Sequence, residues 1–188
     1  MKRYAVLALL VFLALPAFGA VEARIISVDG TVRVSTTRGS WQQAEAGAVL
    51  GTGDVVATGF RGRAVIEIGR SQVNVSPLSQ VSIAELAERN DVDEARLSMP
   101  FGKVDARVRS ADNRRTDFRV ISPVSTASVR GTDFIYDGIS LQVSEGDVAI
   151  ENLIGQTHSV RAGQESRAYA HEPIVSVETY LEEEALLR

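Results

Sequence analysis

The sequence predicts an all-β domain, and three observations carry that prediction. Short apolar runs recur at close intervals, among them Val55 to Ala57, Ala64 to Ile68, Val73 to Val75 and Val81 to Ala84, with Gly51, Gly53, Gly59 and Gly62 as punctuation. Strict alternation from Lys103 to Arg109 places Val104, Ala106 and Val108 on one face of a strand and Lys103, Asp105, Arg107 and Arg109 on the other. No stretch inside the domain sustains the spacing of a long amphipathic helix. With 188 residues there is room for one domain of about 150 residues plus appendages. The expected architecture is compact and many-stranded, either a β-helix-like solenoid or a β-sandwich of short strands. A cleaved signal peptide is expected over residues 1–20, the domain over 24–170 and a short helix or tail over 173–188.

Taken in order, the chain opens on Met-Lys-Arg followed by an apolar run from Tyr4 to Phe18 and then small residues. That is the pattern of a secretory leader, with cleavage suggested by Ala17-x-Gly19 or Val21-x-Ala23. The run of 15 residues falls short of the roughly 20 that span hydrocarbon comfortably, so cleavage is expected over retention as an anchor. The protein is then periplasmic or secreted. It contains no cysteine, which excludes a disulfide framework, a lipid-modified N-terminal Cys and thiolate chemistry. The formal net charge of −4 becomes −6 once Lys2 and Arg3 leave with the leader (−4 − 2 = −6). A surface of that sign repels polyphosphate and argues against nucleic acid as a partner.

Beyond the leader, Arg24 to Val28 and Val32 to Val34 flank Asp29-Gly30, a dipeptide that signals a hairpin. Glu85 to Ala95, rich in acids and alanine, reads as a short helical turn or a solvated loop that interrupts the strands. Ser110 to Thr116 reads as a polar, basic surface turn. An internal repeat emerges at a shift of 116 residues, which lays Gly30 on Gly146, Val32 on Val148, Val34 on Ile150, Gly39 on Gly155, Ala46 on Ala162 and Gly47 on Gly163. If the two units are related, they share one pattern of turn, alternating strand, Gly turn and second strand. After Pro173, Val177, Tyr180, Leu181 and Leu187 fall on one side of a helical projection.

A search for chemistry returns little. His158 and His171 are the only histidines, and no cysteine is available to complete a metal site with them. Gly-x-Ser-x-Gly, phosphate-binding glycine loops, the dinucleotide fingerprint and His-Glu-x-x-His are all missing from the chain. Asp54, Glu67, Asp133, Glu145 and Asp147 are the acids from which a glycosidase pair would be drawn, beside a cleft lined by Trp41, Phe101, Phe134 and Tyr136. Turn positions explain Asp54 and Asp147 without catalysis. No catalytic residue, metal or cofactor is assigned, and no binding residue either.

The most informative stretch is Ser122 to Tyr136. Pro123 ends the run Phe118 to Ile121 as a strand, Gly131 marks a turn or bulge, and Thr132 to Tyr136 begins the next strand. Pro123, then Val129-Arg130-Gly131-Thr132 followed by Asp133-Phe134, resembles the hallmark of the FecR-type domain family of bacterial periplasmic and secreted proteins. Ser122 stands where Thr is usual and Ser125 where Ala is usual. Upstream, the stretch from Leu50 to Gly59 containing Gly53-Asp54, with Ala64 to Gly69, resembles the family's earlier turn and strand. Downstream, Val143 to Val148 with Gly146, and Arg161-Ala162-Gly163-Gln164, resemble its closing segment. The resemblance covers roughly residues 25 to 168 and makes these motif residues structural.

For Arg130, the favoured expectation is a buried guanidinium that satisfies carbonyls and a nearby carboxylate and so pins adjacent strands. The other reading presents it to a carboxylate of a ligand or partner. The resemblance implies a non-catalytic exported binding or scaffold module that engages another envelope protein or an envelope polymer. It touches the membrane only through an uncleaved leader. Regulators of this family carry a cytoplasmic anti-sigma segment ahead of a membrane span. Only three residues precede the apolar run here, so the chain is not expected to relay a signal across a membrane alone. The alternatives from other classes are a hydrolytic or carbohydrate-active enzyme on a β scaffold, and a homo-oligomer that assembles through exposed strand edges.

Overall fold

A computed structural model describes residues 21–36, 39–110 and 113–176. The expected leader, and the expected C-terminal helix or tail from residue 177 onward, lie outside the described residues.

Among the described residues every regular element is a strand. In chain order these are β1 (Ala23–Asp29), β2 (Val32–Ser35), β3 (Gln42–Gln43), β4 (Val49–Leu50), β5 (Val55–Thr58), β6 (Arg63–Ile68), β7 (Ser71–Val75), β8 (Gln80–Arg89) and β9 (Val92–Phe101). They continue with β10 (Val104–Arg107), β11 (Arg115–Ile121), β12 (Ser125–Val129), β13 (Asp133–Tyr136), β14 (Ser140–Glu145), β15 (Asp147–Asn152), β16 (Thr157–Arg161), β17 (Glu165–Arg167) and β18 (Val175–Ser176).

The strands form two sheets of nine, in the orders β18-β17-β14-β13-β10-β7-β6-β1-β4 and β16-β15-β12-β11-β9-β8-β5-β2-β3. Both sheets feed a single core, in which Ile25, Ile66, Leu97, Phe118, Phe134, Tyr136 and Ile150 are sealed from solvent. Alternation explains this directly. In β6, Ala64, Ile66 and Ile68 face in while Arg63, Val65 and Glu67 face out, and in β12 Ser125, Ala127 and Val129 face in while Thr126 and Ser128 face out.

Strand order follows chain order along both sheets except that β4 lies outside β1 and β3 outside β2, because the chain drops a strand or a hairpin into one sheet and then crosses to the other. Two layers around one core fit the sandwich alternative. The solenoid alternative survives in one coil: β9 runs up one sheet, β10 descends the other, and β11 returns beside β9. That is the one parallel pairing among the described strands, with Val92 beside Arg115 and Ser98 beside Ile121.

Several local expectations are corrected. The Asp29-Gly30 dipeptide does not close a hairpin: β1 and β2 lie in different sheets, and Gly30, at φ +65°, turns the corner between them. Both strands carry apolar faces that must reach one core, and only a corner allows that. The acidic interruption from Glu85 to Ala95 is instead the end of a long hairpin. Asn90 and Asp91, at φ +50° and +60°, supply its two-residue turn, and its charges pair across strands, Arg96 with Glu85 and Arg89 with Glu94. Within Ser110 to Thr116, the last two residues already belong to β11. No helix begins at 173, since Val175 and Ser176 pair with Arg167 and Ser166.

The internal repeat recurs in space. The strands β1, β2, β3 and β4 occupy the sheets in the same alternation as β14, β15, β16 and β17, and in each set the outer two pair and the inner two pair. The hydrogen bonds Ile25 N to Ala48 O and Gly47 N to Ile25 O, 2.9 and 2.7 Å, have counterparts in Val143 N to Gln164 O and Gly163 N to Val143 O, 3.1 and 2.8 Å, displaced by two residues on the β14 side beside the bulge in β1. A Cβ at Gly30 or Gly146 would strike neighbouring atoms at 2.5 Å, whereas one at Gly47 or Gly163 would meet nothing.

Candidate functional site

The strand registers give the molecule two rims. Along one, here the upper, lie the turns after β5, β7, β9, β11, β13, β15 and β17; along the lower lie the turns after β2, β4, β6, β8, β10, β12, β14 and β16. The family-like stretch from Ser122 to Tyr136 touches both.

At the upper rim its ends are clasped together. Tyr136 is fully buried, and its hydroxyl donates to the Ser125 carbonyl at 2.8 Å, with Ser125 Oγ also 2.8 Å away. The hydroxyls of Ser122 and Ser125 each reach the Gly138 carbonyl at 2.8 Å, and Ser122 Oγ accepts from the amides of Val124 and Ser125 at 3.2 and 3.0 Å. Burial pushes the Tyr136 phenol up from its ordinary range, with the hydrogen bonds to Ser122 and Ser125 opposing the shift. Pro123, exposed, caps this turn.

At the lower rim, Val129 ends β12 buried, Gly131 turns at φ +135°, and the chain enters β13. Phe134 is buried in the core and Thr132 is fully buried, its hydroxyl without a partner among the described residues. Arg130 is exposed, and no hydrogen bond or ion pair holds its side chain among the described residues. This overturns the expectation of a buried, strand-pinning guanidinium, because the side chain leaves the β12 corner on the solvent side.

The pinning role belongs to Arg109. Its guanidinium donates to Asp133 Oδ1 at 2.5 Å, Glu145 Oε2 at 3.1 Å and the Val108 carbonyl at 2.9 Å, so it ties the end of β10 to β13 and β14. Its pKa is raised, first by the hydrogen bond to Asp133 and then by the charges of Asp133 and Glu145, against desolvation. The backbones of Val108 and Thr132 exchange two hydrogen bonds, 2.9 and 3.1 Å, beneath it. In sequence, Arg109 is one more outward-facing cation on an alternating strand, and only the pairing of β10 with β13 singles it out.

Beside this corner, β8, β9 and β11 run on past the end of β12, since Val129 pairs with Phe118 and Arg115 to Asp117 have no strand on that side among the described residues. The extension carries dense charge. Arg114 pairs with Glu88 and Asp93, Arg96 with Glu85, and Arg119 grips Asp117 through Nε at 3.0 Å and Nη2 at 2.9 Å. A cavity of about 480 Å³ opens between the extension and the corner, lined by Val92, Glu94, Ser110, Arg114, Arg115, Thr116, Asp117 and Arg130.

The remaining expected residues disperse. Gly53, at φ +92°, and Asp54 close the lower turn into β5, where Asp54 Oδ2 accepts from the Gly51 amide at 2.9 Å. Gly146 turns from β14 into β15 and Gly163 from β16 into β17, both at φ +81°. Asp147 is held by Ser159, and Glu67 faces outward on β6. Asp133 and Glu145 are cross-strand partners joined by Arg109. Phe134 and Tyr136 lie in the core, whereas Trp41 is exposed on the lower rim under the Arg33 guanidinium, 5.7 Å from it, and Phe101 is exposed on the upper. The aromatic cleft that the enzyme alternative requires is therefore not assembled from these residues. His158 pairs opposite Ile150 on β16 and His171 is exposed after β17.

These features define a class first: an all-β, two-sheet module whose motif residues shape turns and corners instead of an enclosed reaction centre. The chain belongs to the FecR protein family, whose model matches residues 54–149, just over half of its length. No curated protein matches it. Two crystal structures of a "putative anti-sigma factor" from Parabacteroides distasonis ATCC 8503, at 1.65 and 2.50 Å resolution, share the fold with TM-scores of 0.53 and 0.52 at 11% identity. Each comparison covers 65% of this chain and 58% of the other.

Proposed function

We propose that this chain is an exported, non-catalytic FecR-type module of the bacterial cell envelope that binds another envelope protein or an envelope polymer. One observation carries the reading: the family match falls on a frame in which Arg130 stands at an exposed corner without a partner among the described residues, while Arg109 does the holding. A guanidinium without a partner among the described residues is available for recognition. Membership of a family with regulatory relatives, and a fold shared with a protein described as an anti-sigma factor, add support for a signalling-related role.

The leader reading sharpens as well. Ala23 is fully buried and pairs with Leu50 and Ile68. Cleavage after Gly19 leaves β1 whole, whereas cleavage after Ala23 removes its first buried residue, so the earlier site is the proposed one. N-terminal sequencing of the exported protein checks this; a mature chain starting at Arg24 would contradict it. The binding role is tested by affinity capture from envelope extract with the processed chain and its Arg130→Ala variant. The expected result is one discrete partner held by the wild type and lost by the variant. Capture of nothing, or equal capture by both, would contradict the role given to Arg130.

A further inference from the structure

The lower-rim cavity combines two guanidinium groups and an open strand flank in a way the fold itself does not use. Arg89, Arg96, Arg109, Arg114 and Arg119 each take a carboxylate from this chain. Arg115 and Arg130, both exposed and both lining the cavity, have no side-chain partner among the described residues. The two acids in the same wall are already engaged, Glu94 by Arg89 and Arg96 and Asp117 by Arg119. What remains is a concavity with two planar forks that no described residue engages, the hydroxyls of Ser110 and Thr116 nearby, and the β11 flank from Arg115 to Asp117 without a strand partner among the described residues on the side that β12 vacates.

We infer that this cavity binds the carboxylate of an Asp or Glu side chain, presented by an extended segment of a partner protein lying along β11 and clamped between Arg115 and Arg130. Guanidinium forks match carboxylates in two-point geometry, and an extended segment can continue the line of β12 by main-chain hydrogen bonding. A carboxylate fits better than a phosphate because Glu94 and Asp117 remain in the wall: their field penalises a dianion more than a monoanion. A volume of about 480 Å³ accommodates such a side chain with several waters. The inference rests on the proposed binding role only for the source of the carboxylate.

The test is a chemical-shift titration of the full ¹⁵N-labelled chain, following amides and arginine Nε–H groups. The probes are the blocked peptide acetyl-Thr-Glu-Val-Glu-Thr-amide, its Gln counterpart and inorganic phosphate. The expected outcome is saturable shifts at Arg115, Arg130 and the β11 amides with the Glu peptide. Binding should weaken at least tenfold in Arg115→Ala/Arg130→Ala and fall with added salt. Both residues are exposed, so the variant should keep the wild-type amide spectrum. Arg63→Ala, on the opposite rim, should bind as wild type. Equal shifts from the Gln peptide, or unchanged binding by the double variant, would overturn the site. Tighter binding of phosphate would overturn the assignment to a carboxylate. A partner captured from envelope extract equally well by the double variant would sink this site while leaving the general binding role standing.

Discussion

The two rims of the molecule are built from the same strands yet solve opposite problems. Upper turns carry exposed apolar side chains, including Phe60, Leu78, Phe101, Ile139, Leu153 and Ile154, above a buried hydroxyl cluster centred on Tyr136. Lower turns carry arginines, acids and glycines, and ion pairs in contact with water join several of them. Buried, fully satisfied hydrogen bonds are costly to break, whereas solvent-exposed pairs contribute about 1 kcal/mol or less. The contrast teaches where rigidity is made and where charge is left over: the upper clasp fixes the family motif, and the lower corner presents it.

The comparison breaks most visibly at the clasp. Tyr136→Ala should destabilise by about 3–5 kcal/mol, as large aromatic deletions from cores do, and Tyr136→Phe by about 1–2 kcal/mol through the unpaired Ser125 and Gly138 groups. Both are read by denaturant unfolding. On the lower rim, Gly146→Ala puts a Cβ 2.5 Å from Thr132 Cγ2 at φ +81°. It should cost about 2–4 kcal/mol, backbone strain and overpacking together. Gly163→Ala has the same φ in open space, and should cost only the left-handed strain of about 1–2 kcal/mol. Equal losses at the two glycines would contradict the crowded corner. In the other direction, Leu78 is exposed at φ +54°, so Leu78→Gly should be neutral or stabilise by up to about 1 kcal/mol.

Much of this frame is legible in the residues. Alternation placed Val104, Ala106 and Val108 correctly in the core, Pro123 ended its strand, and the 116-residue repeat corresponds to a recurring four-strand unit. What local sequence cannot carry is the choice of sheet. Asp29-Gly30 has the composition of a hairpin, and only the shared core makes it a corner. The acid-rich run from Glu85 hides a hairpin because its charges are read singly as solvated, while their stabilising partners lie across the strand. Arg130 is hard to place for a related reason: an apolar neighbourhood in sequence says nothing about which side of a turn a side chain leaves. Arg109 carries no signal in sequence because its carboxylate partners lie 24 and 36 residues away.

Smaller effects sharpen the contrast. The Tyr136 pKa is raised on folding, so the native state holds its proton more tightly than the unfolded chain. Its contribution is complete below the ordinary tyrosine value of about 10 and is lost as pH rises through the higher folded value. Tyr136→Phe should therefore flatten that alkaline decline in stability, which a series of unfolding curves above pH 9.5 or so would register. An undiminished decline would place its origin elsewhere.

Thermal unfolding of Arg130→Ala beside Arg109→Ala tests most directly whether Arg130 is displayed or structural. With Arg130 exposed and without a partner among the described residues, and Arg109 bridging β10 to β13 and β14, the first variant should melt with the wild type and the second slightly below it. A drop of several degrees for Arg130→Ala, with Arg109→Ala unchanged, would contradict the account.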